Sequence, residues 1–117
     1  MSSAIKRYPG NIPTRSRAVA HDGLVYAVHT AATKSASLYE QTRDALAAID
    51  KTLAEAGSSK SRILRATVYI TDMNRKPEMN KAWDEWVDKG NAPQRACIGV
   101  ALEDKDLVEI LVIAAQG

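Results

Sequence analysis

The sequence predicts an α+β domain whose elements follow the order β-β-α-β-α-β-β, with two helices on one face of a sheet. The first observation is the helical spacing of apolar side chains in two segments, residues 37–56 and 77–90. The second is a set of short segments that alternate apolar and polar residues, or run apolar throughout, as strands do. This order of elements is typical of an α+β fold.

The N-terminal part predicts a hairpin. Residues 8–15 are rich in Pro, Gly and Asn and predict a turn-rich lead-in. Residues 16–21 and 24–30 are predicted strands on either side of Asp22-Gly23, a dipeptide that is typical of tight hairpin turns.

The first helix is predicted over residues 37–56. Ser37 followed three positions later by Glu40 forms a capping box, which satisfies free backbone N–H groups at a helix start. Gly57 stands where the end of a helix favours a residue with positive φ.

The middle of the chain predicts a strand and a second helix. The strand covers residues 62–71, and its apolar face consists of Leu64, Ala66, Val68 and Ile70. The second helix follows Pro77, which suits a first helical turn, and Gly90 ends it. Its apolar face consists of Met79, Ala82, Trp83, Trp86 and Val87.

The last two strands, residues 94–101 and 107–115, predict an oligomer. The final strand is apolar on both faces except at Glu109, so both faces should be covered. Two helices cover about one face of a sheet of this size. The other face would be a large exposed apolar patch without a partner, so we expect sheets of several copies to pack together.

Composition indicates one domain, residues 1–117, of a soluble cytoplasmic protein. Sixteen Lys and Arg balance fourteen Asp and Glu in an interspersed pattern, which disfavours nucleic-acid and membrane partners. The single cysteine, Cys97, excludes internal disulfides and favours a reducing compartment. Cys and His together number three, too few for a zinc finger. We find no hydrophobic signal region and no apolar run near the ~20 residues that span a bilayer.

Two residues stand out chemically. Glu109 is a lone carboxylate within an apolar strand, where burial is costly unless the group is paired or protonated. It either reaches water at a strand end or lies in a cleft between subunits, where it positions water or a proton. Arg95 lies at the entrance to another apolar strand. It is either a surface arginine or a residue whose planar guanidinium binds a carboxylate with two parallel hydrogen bonds.

The other candidates have simpler interpretations. Cys97 has no base nearby in the sequence and is interpreted as a small buried hydrophobe. His21 and His29 have no metal-ligand spacing and are interpreted as ordinary polar positions. Trp83 and Trp86 are interpreted as core residues. Taken by themselves, the residues indicate an oligomeric α+β domain in which Arg95 and Glu109 are the candidate site residues.

Several motifs, in order and correctly spaced, make the chain resemble the RidA family, also called YjgF. Residues 91–98 resemble its P-A-R-S-C-V signature, and residues 107–110 resemble its I-E-I-E strand. Residues 55–57 are similar to its A-A-G, and residues 66–73 to its T-T-V-F-V-x-D-L. Asn80 falls on the asparagine of the family's second helix.

The resemblance implies a mixed sheet with a fold like that of small trimeric chorismate mutases. It also implies a homotrimer with a central barrel and three clefts between subunits. The implied activity is hydrolysis of reactive enamines and imines, such as 2-aminoacrylate, to a 2-keto acid and ammonia. No cofactor or metal is implied, and the partner is a small substrate with a carboxylate.

The resemblance also implies roles for particular residues. Arg95 would bind the substrate carboxylate, helped by the backbone N–H of Cys97, and Glu109 would orient the water or move its proton. Ser16 stands where many members have tyrosine, and His29-Thr30-Ala31 replaces the family's S-G-Q, so Ser16, Thr30 and Ala31 would form the pocket wall.

Other functions stay open. A non-catalytic trimer that binds small carboxylates or proteins is the first alternative, and a specialised catabolic deaminase is the second. The family's older label, endoribonuclease, is disfavoured because the chain has no basic stripe and no obvious His pair.

Overall fold

One sheet of six strands and two helices form the domain. The computed structural model describes residues 4–117, so the first three residues of the predicted domain lie outside the described part. The helices are α1 (Leu38–Glu55) and α2 (Lys76–Trp86). The strands are β1 (Lys6–Pro9), β2 (Ser16–His21), β3 (Leu24–Thr30), β4 (Ile63–Ile70), β5 (Gln94–Gly99) and β6 (Val108–Ala115).

The sheet has the strand order β1-β2-β3-β6-β4-β5. Strands β4 and β5 run parallel, whereas the other neighbouring strands are antiparallel. The sheet is therefore mixed, and the predicted α+β class is confirmed. The last strand in the sequence lies in the interior of the sheet, between β3 and β4.

The prediction of a turn-rich lead-in over residues 8–15 was wrong at its start, because β1 covers Lys6–Pro9 and adds a sixth strand. Tyr8 pairs with Ala18 of β2, and its side chain is buried. An edge strand pairs on one side only, so it tolerates Pro9 and the two polar residues that hid the strand pattern.

The local signals of the hairpin and of α1 are confirmed. Asp22 and Gly23 have φ of 49° and 81°, the left-handed conformation that this two-residue turn requires. The Oγ of Ser37 accepts a hydrogen bond from the backbone N–H of Glu40, and Gly57 ends the helix region at φ 76°. The reciprocal half of the predicted capping box does not form. The Ser37 backbone N–H donates to the Ser35 hydroxyl oxygen, and that hydroxyl donates to the Glu40 carboxylate.

The predicted inward face of β4 was wrong at one position. The pairing register with β6 shifts between Ile63 and Arg65, so an irregularity lies at Leu64. Ile63 is buried in its place, and Leu64 is 54% exposed. An extra residue in a strand reverses the side-chain alternation beyond it, which sequence alternation alone does not reveal. Ala66, Val68 and Ile70 are buried as predicted.

The second helix is shorter than predicted. Pro77 lies in its first turn as expected, but α2 ends at Trp86, and Val87 is extended. Gly90 lies in a separate short turn, where the Asp88 carboxylate accepts from its backbone N–H. Strand β5 likewise ends at Gly99 instead of residue 101, and β6 begins at Val108 instead of residue 107.

Only one face of the sheet is covered within a chain. Helix α1 packs on β3, on β6 and on α2, and the core lies between the helices and this face. The opposite face has exposed apolar side chains on three strands: Tyr26 at 46%, Val28 at 37%, Ile98 at 44% and Leu111 at 37%. The two-sided apolar pattern of the sequence thus corresponds to a core face and an open apolar face.

Candidate active site

An open cleft of ≈ 1150 Å³ lies at the end of the sheet where β2 begins and β3 ends. The loops before β2, after β3 and before β6 form its walls. Four of the predicted site residues line this cleft: Ser16, Thr30, Ala31 and Glu109. The strand order places β3 beside β6, so Thr30 pairs directly with Glu109.

Glu109 lies on the open face of the sheet, because it pairs with Tyr69 while its neighbours Val108 and Ile110 are buried in the core. It is half-buried, and its carboxylate makes no hydrogen bond or ion pair within residues 4–117. It sits near a strand end, as the first expectation had it, and it lines a cleft within the chain. A carboxylate so placed is free to accept a proton or a hydrogen bond from a bound molecule.

Buried Gln41 joins two walls of the cleft. Its side-chain amide nitrogen donates to the backbone oxygens of Ser35 and Lys105, at 2.7 and 3.0 Å. Its amide oxygen accepts from the backbone N–H of Leu107 at 2.9 Å. Lys34 adds an ion pair to Asp106 across the same gap. These contacts set where β6 begins and therefore where Glu109 lies.

Arg95 lies on β5, at the other edge of the sheet, and α2 holds its guanidinium. One terminal nitrogen donates to Oδ1 of Asn80 at 2.9 Å, and the other lies 3.7 Å from Sδ of Met79. The Arg95 Cζ lies 5.3 Å from the ring centroid of Trp83, a cation–π distance. Arg95 is therefore an oriented, half-buried cation and not a freely mobile surface arginine.

Asn80 was identified by its motif position, but the support that Trp83 gives to Arg95 was not predicted. The signal was available in the spacing, since residues three apart lie on the same face of a helix. Trp83 is also a core residue as predicted, with its ring centroid 5.3 Å from that of Trp86.

Cys97 lies two residues after Arg95, on the same face of β5, and is half-buried rather than fully buried. Strand β5 is an edge strand, and the N–H of Val100 donates inward to Ile70 of β4. Because N–H directions alternate along a strand, the N–H of Cys97 points away from β4, toward the open edge. This N–H is available to a ligand or a second chain.

The structure does not bring Arg95 and Glu109 together within one chain. Arg95 pairs with Ala66, which is buried on the core face, whereas Glu109 pairs with Tyr69 and lies on the open face. The predicted site residues therefore form two groups. One group is Arg95 and Cys97 at the β5 edge, and the other lines the cleft.

The two histidines lie in different places. His21 lines a separate, smaller cavity beside the β2–β3 turn and contacts the Asp22 carboxylate. His29 lines the main cleft, with its Nε2 2.8 Å from Oγ1 of Thr52 on α1. Burial and the nearby positive charge of Arg17 lower the pKa of His29 below its usual range. His29 is thus a neutral, fixed ring and not an ordinary exposed polar residue.

Within residues 4–117, no group of three or more His, Cys, Asp or Glu side chains is arranged to hold a metal ion. Neither helix in this range combines the length and apolar character needed to cross a membrane.

Comparisons with known proteins agree on one family. The sequence model for the family described as endoribonuclease L-PSP matches residues 5–116. A RutC family protein of Haemophilus ducreyi is 44% identical over 86% of this chain and 87% of its own length. A solved structure of a YjgF family protein from Neisseria meningitidis has a TM-score of 0.93 at 38% identity, covering 98% of this chain and 97% of that one. A protein of Escherichia coli named as a reactive intermediate deaminase is 33% identical over 69% of this chain and 65% of its own length.

Proposed function

The chain belongs to the endoribonuclease L-PSP family, which is also known as the RidA or YjgF family, and on this basis we propose that it hydrolyses reactive enamines and imines derived from amino acids. The products would be a 2-keto acid and ammonia. The E. coli relative that carries the name of a reactive intermediate deaminase supports this reaction class.

The observation that carries the proposal is the set of contacts that hold the Arg95 guanidinium. Asn80 and Trp83 hold the guanidinium, and no oxygen within residues 4–117 other than that of Asn80 accepts a hydrogen bond from it. A planar fork held in this way matches a carboxylate with two parallel hydrogen bonds. The outward N–H of Cys97 would add a third donor. Small carboxylic acids are therefore the proposed ligand class.

The proposed site is completed by a second copy of the chain. Arg95 and the Glu109 cleft lie on different faces and at different parts of the sheet, so one chain offers only half of the proposed set. The open face also leaves Tyr26, Val28, Ile98 and Leu111 exposed, an apolar surface that favours association. We propose a homotrimer in which the β5 edge of one subunit meets the cleft of the next.

The chemistry requires little beyond orientation. Water adds to the electrophilic carbon of the C=N bond, and the resulting carbinolamine expels ammonia and leaves a keto group. Arg95 would hold the carboxylate next to this carbon, which makes the attack effectively intramolecular. Glu109 would accept the proton of the attacking water and return it to the leaving nitrogen. Thr30, Ala31 and Ser16 would contact the substrate's side chain.

The test generates imines in place with an amino-acid oxidase and follows keto-acid release over a panel of amino acids. Faster release than in the absence of the protein supports the proposal, and side-chain preference emerges from the same data. If no imine is hydrolysed faster while pyruvate still binds, the chain is a carboxylate-binding module. Ribonuclease activity is not favoured, because His21 and His29 lie in separate cavities.

A further inference from the structure

His29 belongs to a three-residue network at the edge of the cleft. Thr52 on α1 is 2% exposed, and its Oγ1 contacts both Nε2 of His29 at 2.8 Å and Nη1 of Arg17 at 2.9 Å. Arg17 is in turn paired with the Glu55 carboxylate. The pairing of β1 with β2 shifts beside Arg17, and the side chain reaches α1 from there.

This network determines where the imidazole proton lies. Arg17 is always protonated and only donates, so Thr52 Oγ1 accepts from it. The buried Thr52 hydroxyl has no other acceptor for its hydrogen within residues 4–117, so this hydrogen is directed to Nε2 of His29, which accepts it when the ring is neutral. The proton of the neutral ring is therefore assigned to Nδ1. A protonated His29 would place a second positive charge beside that of Arg17, with only the Thr52 oxygen between them, and the repulsion disfavours this form.

Nδ1 is open to the cleft. It has no hydrogen-bond partner within residues 4–117, and every fully buried side-chain nitrogen or oxygen in that range does have one. Nδ1 is therefore reached by solvent, and the cleft that His29 lines provides that access. The result is a rigid, neutral N–H donor that enters the cleft from the helix side of the sheet, since His29 pairs with buried Ile110. Thr30 and Glu109 line the same cleft from the open face.

We propose that His29 is a substrate-binding residue, whose Nδ1–H donates to a neutral oxygen on the side chain of the substrate. The inference rests on the proposed deaminase function and names its substrate class: imines of amino acids that carry an amide or hydroxyl oxygen. A second carboxylate fits less well. Among the unpaired charges lining the cleft, Glu103 and Glu109 outnumber Arg15, so the net field there is negative.

The test compares two imines of similar length, one from glutamine and one from norleucine, which lacks the oxygen. We expect His29→Phe to lower kcat/KM for the glutamine-derived imine about 5- to 10-fold, the effect of one hydrogen bond, and to leave the norleucine-derived imine within about 2-fold. Thr52→Val should change the preference in the same direction by releasing the ring. His21→Phe is the matched control and should change neither.

An equal loss on both imines, or no loss on either, would overturn the proposal. If His29→Phe does not fold, as judged by its thermal midpoint, Thr52→Val alone decides between these outcomes. Nitrogen NMR of the wild-type imidazole gives a readout apart from activity. We expect the Nδ1–H form and a change in the His29 signals when the keto acid of glutamine is added.

The NMR measurement also separates failure of this proposal from failure of the proposed function. If wild type hydrolyses no imine, the deaminase is lost, but a keto-acid-dependent change in the His29 signals still supports its binding role. An Nε2–H form, or signals that are indifferent to the keto acid, would refute that role whatever the activity.

Discussion

Replacing Arg95 with alanine should abolish most imine hydrolysis while leaving the fold intact. The half-buried guanidinium makes one hydrogen bond to Asn80 and one cation–π contact to Trp83. Losing both should cost about 1–2 kcal/mol of stability. That is a modest part of the stability of a domain.

The catalytic loss should be larger. Two charge-assisted hydrogen bonds to a substrate carboxylate contribute about 1.5–3 kcal/mol each. Their loss, about 3–6 kcal/mol, corresponds to a fall of about 10²- to 10⁴-fold in kcat/KM. Arg95→Lys should recover only part of this, because an ammonium group lacks the planar fork and matches neither Asn80 nor the carboxylate in the same geometry.

The assay is keto-acid release from imines generated in place, with molecular mass and thermal midpoint measured on each variant. Arg43→Ala is the matched control, because Arg43 is exposed on α1 and also lies over an aromatic ring, that of Tyr39. It should leave hydrolysis unchanged. Full activity in Arg95→Ala, with the control unaffected, would refute the carboxylate-binding role.

Four further outcomes are expected. Gln41→Met should lower the free energy of unfolding by about 3 kcal/mol and the thermal midpoint by about 10 °C. The reason is that the N–H of Leu107 and the carbonyls of Ser35 and Lys105 lose their hydrogen-bond partner. A fall in the thermal midpoint of less than about 3 °C would contradict this. Cys97→Ala should keep most hydrolysis, since only its backbone N–H is used; a loss of ~100-fold with the assembly intact would indicate a thiol role. The pKa of His29 is lowered on folding, so the unfolded chain binds more protons, and the free energy of unfolding should fall as pH drops below about 6.5. His29→Gln should reduce this pH dependence in unfolding midpoints measured over a pH series. An unchanged pH dependence in the variant would contradict the prediction. Light scattering at micromolar concentration should give three times the mass of one chain, and the mass of a single chain would remove the proposed site between subunits.

Much of the fold follows from local sequence signals, because the interactions behind them span only a few residues. The cap of α1 involves Ser37 and Glu40, three positions apart, and the hairpin turn involves only Asp22 and Gly23. Their side chains and backbone freedom act whatever the rest of the chain does. The apolar residues on both faces of the last strand likewise predicted a sheet with two apolar faces. The motif around Arg95 predicted the family.

The two errors that changed the sheet lie where a distant partner decides the structure. Strand β1 exists because Tyr8 packs into a core built by later elements, and the irregularity at Leu64 depends on its register with β6. Neither has a local signature that distinguishes it from a loop or a regular strand.

What the sequence by itself determined is the two helices, five of the six strands, the apolar character of both sheet faces and the chemically notable residues Arg95 and Glu109. Only the tertiary structure decided on which side of the sheet each one lies, and that Asn80 and Trp83 hold Arg95. It also decided that His29 faces a cleft while Thr52 and Arg17 hold its ring. The physical reason is that a contact between distant residues depends on strand order and register, which the whole chain sets together when it buries its core.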